Sequence, residues 1–181
     1  MYHRKRNCDE IINLNNTLRK LWEQHVMWTR SFIISTADGL GDLDFVTERL
    51  LRNPSDFEAV LKTYYGSARA SQFQKLLQQH LLIAADLVNQ AKDGNAEGAE
   101  AARERWYQNA AEIAEFLAHI NPHWSRNEWI KMLNEHLKMT EEEAVTRLQK
   151  QYQKNVAIYD DIETQALAMA DYMTMGIWKQ F

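Results

Sequence analysis

The sequence predicts an all-α fold: a single ferritin-like four-helix bundle with short accessory helices. Three observations point there. Glycine and proline are scarce, six and two in 181 residues, so few positions punctuate the chain. Apolar residues recur at helical spacing through several long stretches. No stretch shows the strict alternation of a half-buried strand.

The elements follow in order. A first helix is expected from about Asp9 to Ala37, with Ile11, Leu14, Leu18, Leu21 or Trp22, His25, Trp28 or Thr29 and Phe32 along its inward stripe. Asp38-Gly39-Leu40-Gly41-Asp42 ends it. Two short helices come next, Phe45 to Leu51 and a second opened by Pro54-Ser55-Asp56 and stopped by Gly66. A long helix from about Ala68 to Lys92 carries Phe73, Leu76 or Leu77, His80, Ile83 or Ala84 and Leu87 inward, and Asp93-Gly94-Asn95 turns the chain. The next, about Ala96 to Ile120, turns Trp106, Ile113, Phe116 and Leu117 inward and breaks at Asn121-Pro122. Ser125-Arg126-Asn127-Glu128 reads as a capping box opening a short helix with Trp129, Met132, Leu133 and His136. Thr140-Glu141-Glu142-Glu143 reads as a second capping box, opening a last long helix that Gly176 ends. Val46-Thr47-Glu48-Arg49-Leu50 and Val145-Thr146-Arg147-Leu148 give the two halves a weak likeness.

Residues 1–181 suit one domain with a sizeable core, residues 1–8 being expected as a flexible arm. The charge of −4, with no basic stripe, argues against a nucleic-acid binder. A lone cysteine, Cys8, allows no internal disulfide and suits a reducing, cytoplasmic setting. The basic N-terminus has no apolar run behind it, and no stretch approaches the roughly 20 apolar residues of a membrane span. A P-loop, a dinucleotide fingerprint and a nucleophile elbow are all missing from the sequence.

What remains is a set of histidines. His25, His80 and His136 share one local frame: Leu21-Trp22-Glu23-Gln24-His25, Leu76-Leu77-Gln78-Gln79-His80 and Met132-Leu133-Asn134-Glu135-His136. On a helix that frame sets the imidazole on the apolar stripe. Counting turns from Gly94 puts His80 and Asn109 at one height. His136, near the end of a short helix, is the one that could cap the bundle instead of entering it. The expected chemistry is a transition-metal site for iron, manganese or zinc. His25 and His80 are the ligands, His136 joins them, and Asp160, Glu163 or Asp171 of the last helix completes the shell. Gln165 is a further polar candidate on that helix. Arg30 and Asn109 stand behind the ligands. The alternative is a closed, metal-free hydrogen-bond network in a non-catalytic interaction protein, expected as a homodimer. A third reading is a small-molecule carrier with a polar pocket among the tryptophans. Di-iron bundles carry Glu-x-x-His, and no glutamate precedes any of the three histidines by three residues. His119 and His123 flank Asn121-Pro122 and read as loop and surface residues. The tryptophans read as core, apart from Trp178 in an apolar tail that docks back or meets a partner.

Leu21-Trp22-Glu23-Gln24-His25-Val26-Met27-Trp28-Thr29-Arg30, Ile120-Asn121-Pro122-His123-Trp124, Gln165-Ala166-Leu167-Ala168-Met169-Ala170-Asp171 and the terminal Gly176-Ile177-Trp178-Lys179-Gln180-Phe181 together carry a resemblance. Over nearly its whole length the chain resembles a group of small uncharacterised proteins of Bacillus- and Clostridium-type bacteria, sometimes labelled acetylglutamate kinase. Neither a parallel α/β pattern nor a Gly-rich phosphate loop supports a kinase here. More loosely, the chain is similar to ferritin-like bundle proteins suspected of binding metals. The resemblance implies a helical bundle and leaves the activity open.

Overall fold

The computed structural model describes residues 8–181. They form five helices: α1 (Cys8–Asp38), α2 (Leu43–Lys92), α3 (Ala96–Ile120), α4 (Arg126–Leu148) and α5 (Tyr152–Gln180). Among the described residues there is no strand, and no helix is long and apolar enough to cross a membrane. The expected N-terminal arm lies outside the described residues except for Cys8, which is exposed and begins α1.

Helix α2 is bent at Gly66, where φ 76° and ψ 168° interrupt an otherwise helical backbone. A side chain is disfavoured at that φ, so glycine is the natural residue for the corner. Beyond it the helix runs back along itself. The rings of Phe57 and Phe73 meet at 5.9 Å, and Leu50 shares a core cluster with Leu81. Six rods result, alternately ascending and descending, grouped as three hairpins: 8–65, 67–120 and 126–180. The last rod returns to the first, with Arg19 of α1 2.7 Å from Asp171 of α5.

This differs from the expected four long helices with short accessories, and local reasons account for it. Pro54 does not open a helix. It lies buried inside α2, where burial of Leu50, Asn53 and Phe57 around it outweighs the roughly 3 kcal/mol an interior proline costs. Thr140 is no cap. Its hydroxyl donates back to the carbonyl of His136 at 2.9 Å, so α4 passes through Thr140-Glu141-Glu142-Glu143 and is a full-length rod. The chain turns later, where Lys150 adopts φ 59°. Ser125 does cap α4, accepting from the Glu128 amide. Gly176 does not end α5. It lies inside the helix against Trp124, whose indole nitrogen would stand 1.9 Å from any added Cβ. The chain end docks: Gln180 accepts from the Tyr65 hydroxyl and donates to the Ile120 carbonyl.

The interior is divided. A large cluster rich in aromatic residues includes Leu21, Trp22, Leu77 and Leu133, one turn before the histidines. A smaller cluster includes Phe32, Val88 and Ala144, two turns after them. Between the two lies a polar layer.

Candidate metal centre

The polar layer is built from the three hairpins in the same way. Each ascending rod carries a histidine at its middle: His25 on α1, His80 on the second arm of α2, His136 on α4. All three are 2% exposed. Each following descending rod carries an amide at the same height: Asn53, Asn109 and Gln165.

In the first hairpin, Nδ1 of His25 lies 3.1 Å from Oδ1 of Asn53, and Nδ2 of Asn53 donates to the carbonyl of Leu21 at 3.0 Å. In the second, Nδ1 of His80 lies 2.9 Å from Oδ1 of Asn109, and Nδ2 of Asn109 donates to the carbonyl of Leu76 at 3.1 Å. Leu21 and Leu76 each precede their histidine by four residues. In the third, Nε2 of Gln165 donates to the carbonyl of Met132, again four before the histidine, at 2.8 Å. There Oε1 of Gln165 and Nδ1 of His136 face each other without closing a well-formed hydrogen bond.

This arrangement fixes the tautomers. Each amide nitrogen is committed to a backbone carbonyl, so the amide oxygen is the atom turned toward the ring. An oxygen only accepts, so Nδ1 carries the proton. Nε2 is then the nitrogen each ring has left, unprotonated and free to coordinate. One ring nitrogen from each of His25, His80 and His136 lies within 4.8 Å of the other two. The ring centroids of His25 stand 6.2 Å from His80 and 5.6 Å from His136.

The layer is dry. Burial lowers the pKa of His25 to about 4, against the hydrogen bond it makes to Asn53, which raises it. Burial and the neighbouring His25 lower His80 to about 3. His136 is held well below the usual histidine range, first by burial and then by the other two rings. All three are therefore neutral imidazoles at pH 7, the form that ligates metals. On one side they close a cavity of about 10 Å³ whose other walls include Trp22, Phe73, Leu77, Trp129 and Leu133. That is room for about one water molecule.

The carboxylates expected from α5 do not reach this layer. Gln165 holds the inward position. At about 100° per residue, Asp160, Glu163 and Asp171 project roughly 140°, 160° and 120° away from it. Asp160 is exposed and Glu163 half-buried. Asp171 takes Arg19 and Asn15 as partners across α1. Arg30 also stands elsewhere. It binds Glu143 at 2.5 Å and both the carbonyl and the side chain of Asn155, with its guanidinium over the Tyr159 ring. It therefore supports α4 and α5, not the imidazoles. Glu143 is the buried carboxylate of the interior. Burial raises its pKa to about 7, against the pull of Arg30. Sequence reasoning missed Asn53, hidden beside Pro54. Its signal was available: Asn53 lies as far after Gly39 as His25 lies before it. His119 and His123 are exposed.

No family model, curated protein or solved structure matches the chain. The geometry of the histidine layer therefore carries the functional reading alone.

Proposed function

We propose that this protein is a helical metal-binding protein whose ion sits among His25, His80 and His136, held by three Nε2 atoms. The observation that supports this most is the pairing of histidines with amides. Asn53 and Asn109 hold the Nδ1 atoms, which leaves Nε2 of each ring as the ligand atom where the three buried rings come together. Lone pairs facing one another without a donor are costly there. One water has only two hydrogens and cannot serve three acceptors, whereas one cation serves all three. The metal-free network has this deficit, which weighs against the structural alternative.

The donor set narrows the choice of ion. Three imidazoles with no carboxylate suit zinc, with iron next. Manganese, which prefers oxygen ligands, is the least suited of the three. The ferritin-like reading keeps only its general form, an ion inside a helical bundle, because the carboxylates such sites use are turned elsewhere.

The test is elemental analysis of protein purified without an affinity tag, followed by reconstitution with zinc, ferrous iron and manganese. One equivalent of zinc or iron is expected, lost in His25→Ala while the helical circular dichroism persists. Failure of every ion to bind the wild-type protein would leave the metal-free network as the reading.

A further inference from the structure

We propose that the tip of the third hairpin, residues 140–157, is a flap over the histidine layer, and that its opening is the route by which the ion reaches the three rings. The flap stands on packing alone; its use by the ion rests on the metal reading above. Three observations combine.

The first is enclosure. His25, His80 and His136 are each 2% exposed, so solvent and ions reach them only when helices part. On the side of Trp22 and Trp129 the layer is backed by the large aromatic cluster. On the other side lies a cavity of about 20 Å³ lined by Thr29, Ala84 and Thr140, each one turn after its histidine. Glu141 and Ala144 of the tip form part of its wall. Lifting the tip joins that cavity to solvent within a turn of the rings.

The second is how little apolar surface holds the tip. The first two hairpins supply Phe32, Ile33, Val46, Leu50, Leu81 and Val88 to the smaller core cluster, and the third supplies only Ala144. The other buried residues of the tip are polar: Thr140, Glu143, Thr146 and Asn155. A segment with few buried apolar contacts opens at low free energy while the rest of the bundle stays folded. Nδ2 of Asn155 donates to the carbonyl of Glu143 at 2.7 Å, so the two arms of the tip move as one piece.

The third is the fastening. Arg30 of α1 binds Glu143 at 2.5 Å and donates to the Asn155 carbonyl at 3.1 Å, Asp38 of α1 takes Arg147, and Arg103 of α3 binds Glu141 at 2.9 Å. The tip is thus tied to the rods on both sides of it. When such pairs part, the charged groups regain water, which offsets much of the attraction lost. Apolar contacts have no such return. A tip fastened by ion pairs opens readily and closes in one position.

The experiment follows hydrogen exchange by mass spectrometry in full-length, metal-free protein, and zinc uptake by stopped flow with a zinc indicator. Amides of 140–146 are expected to exchange roughly tenfold faster, or more, than those of 29–35 and 84–90, the matching stretches after His25 and His80. Asp38→Asn and Arg103→Gln, each removing one fastener, should raise both this exchange and the rate of zinc uptake by about threefold, with 84–90 unchanged. Arg105→Gln, which breaks a pair with Asp86 inside the second hairpin, should change neither. Linking Asp38→Cys to Arg147→Cys with a short bis-maleimide, in a Cys8→Ser background, should slow zinc uptake by roughly tenfold or more. Equal exchange in the three stretches would overturn the flap. Zinc uptake as fast in the linked protein as in the unlinked one would overturn the flap as the route. Early exchange in 140–146 with no zinc bound by any form would overturn the metal reading and leave the flap standing.

Discussion

Two of the three hairpins hold their histidine with an asparagine and complete both hydrogen bonds. The third uses a glutamine, one methylene longer, and completes only the bond to the backbone. The backbone anchor is thus common to all three, and the grip on the ring is not. A longer side chain has more rotamers to give up and sets its oxygen less firmly. His136 is therefore the ring with most freedom to adjust, while His25 and His80 are held by their asparagines. If the proposed ion binds, His136 is the ring expected to adjust to it most.

The widest test of that contrast removes the rings. His25→Ala, His80→Ala and His136→Ala should each cut zinc affinity by roughly a hundredfold or more, about 3 kcal/mol, as isothermal titration would read it. If His136→Ala were silent, the site would be bidentate and the contrast meaningless. Next come the amides. Asn53→Ala and Asn109→Ala should weaken zinc by about 10- to 100-fold, the usual cost of removing a hydrogen-bond partner that orients a ligand.

Acid comes third. In metal-free protein the pKa values of His25 and His80 lie below their unfolded value near 6.5, at about 4 and about 3. The unfolded chain then binds more protons, so stability present above pH 6.5 is lost as pH falls toward those values, at roughly 1.4 kcal/mol per pH unit for each group. His136 acts in the same direction. Glu143 acts in the opposite one, since its raised pKa favours the folded state as pH falls from about 7 toward the carboxylate range. Glu141, raised in the same direction by burial, adds to Glu143, and three histidines against these two glutamates leave a net loss of stability between pH 7.5 and pH 5. Urea midpoints at the two pH values check it, and an unchanged or rising midpoint at pH 5 would contradict the buried, neutral layer. The smallest effect belongs to the third hairpin. Gln165→Ala should weaken zinc only about threefold, because its bond to Nδ1 is already incomplete. A loss as large as that from Asn109→Ala would erase the distinction between the hairpins.

The histidine triad was legible because burial and helical periodicity are written into each local frame: two apolar residues three and four back, then two polar ones. Asn109 was legible by counting turns from Gly94. The carboxylates were misplaced because acidity suggests ligation while the face of a helix decides it, and α5 turns Gln165 inward instead. The three hairpins were hidden by signals that tertiary context overrides. Pro54 reads as a start and is passed through, Thr140 reads as a cap and donates to His136, and Gly176 reads as a stop and makes room for Trp124. The spacing of the histidines, 55 and 56 residues, was the repeat to look for, where a two-fold likeness drew attention instead.

The bond from each amide to a backbone carbonyl has a consequence for how the rods choose their neighbours. Apolar stripes alone tolerate sliding, since one turn of displacement brings a similar residue into each gap. The amides of Asn53, Asn109 and Gln165 are pegs. A slip of one turn, about 5.4 Å, would strand three side chains in a dry interior. The same contacts that hold the imidazoles thereby give each hairpin a single register.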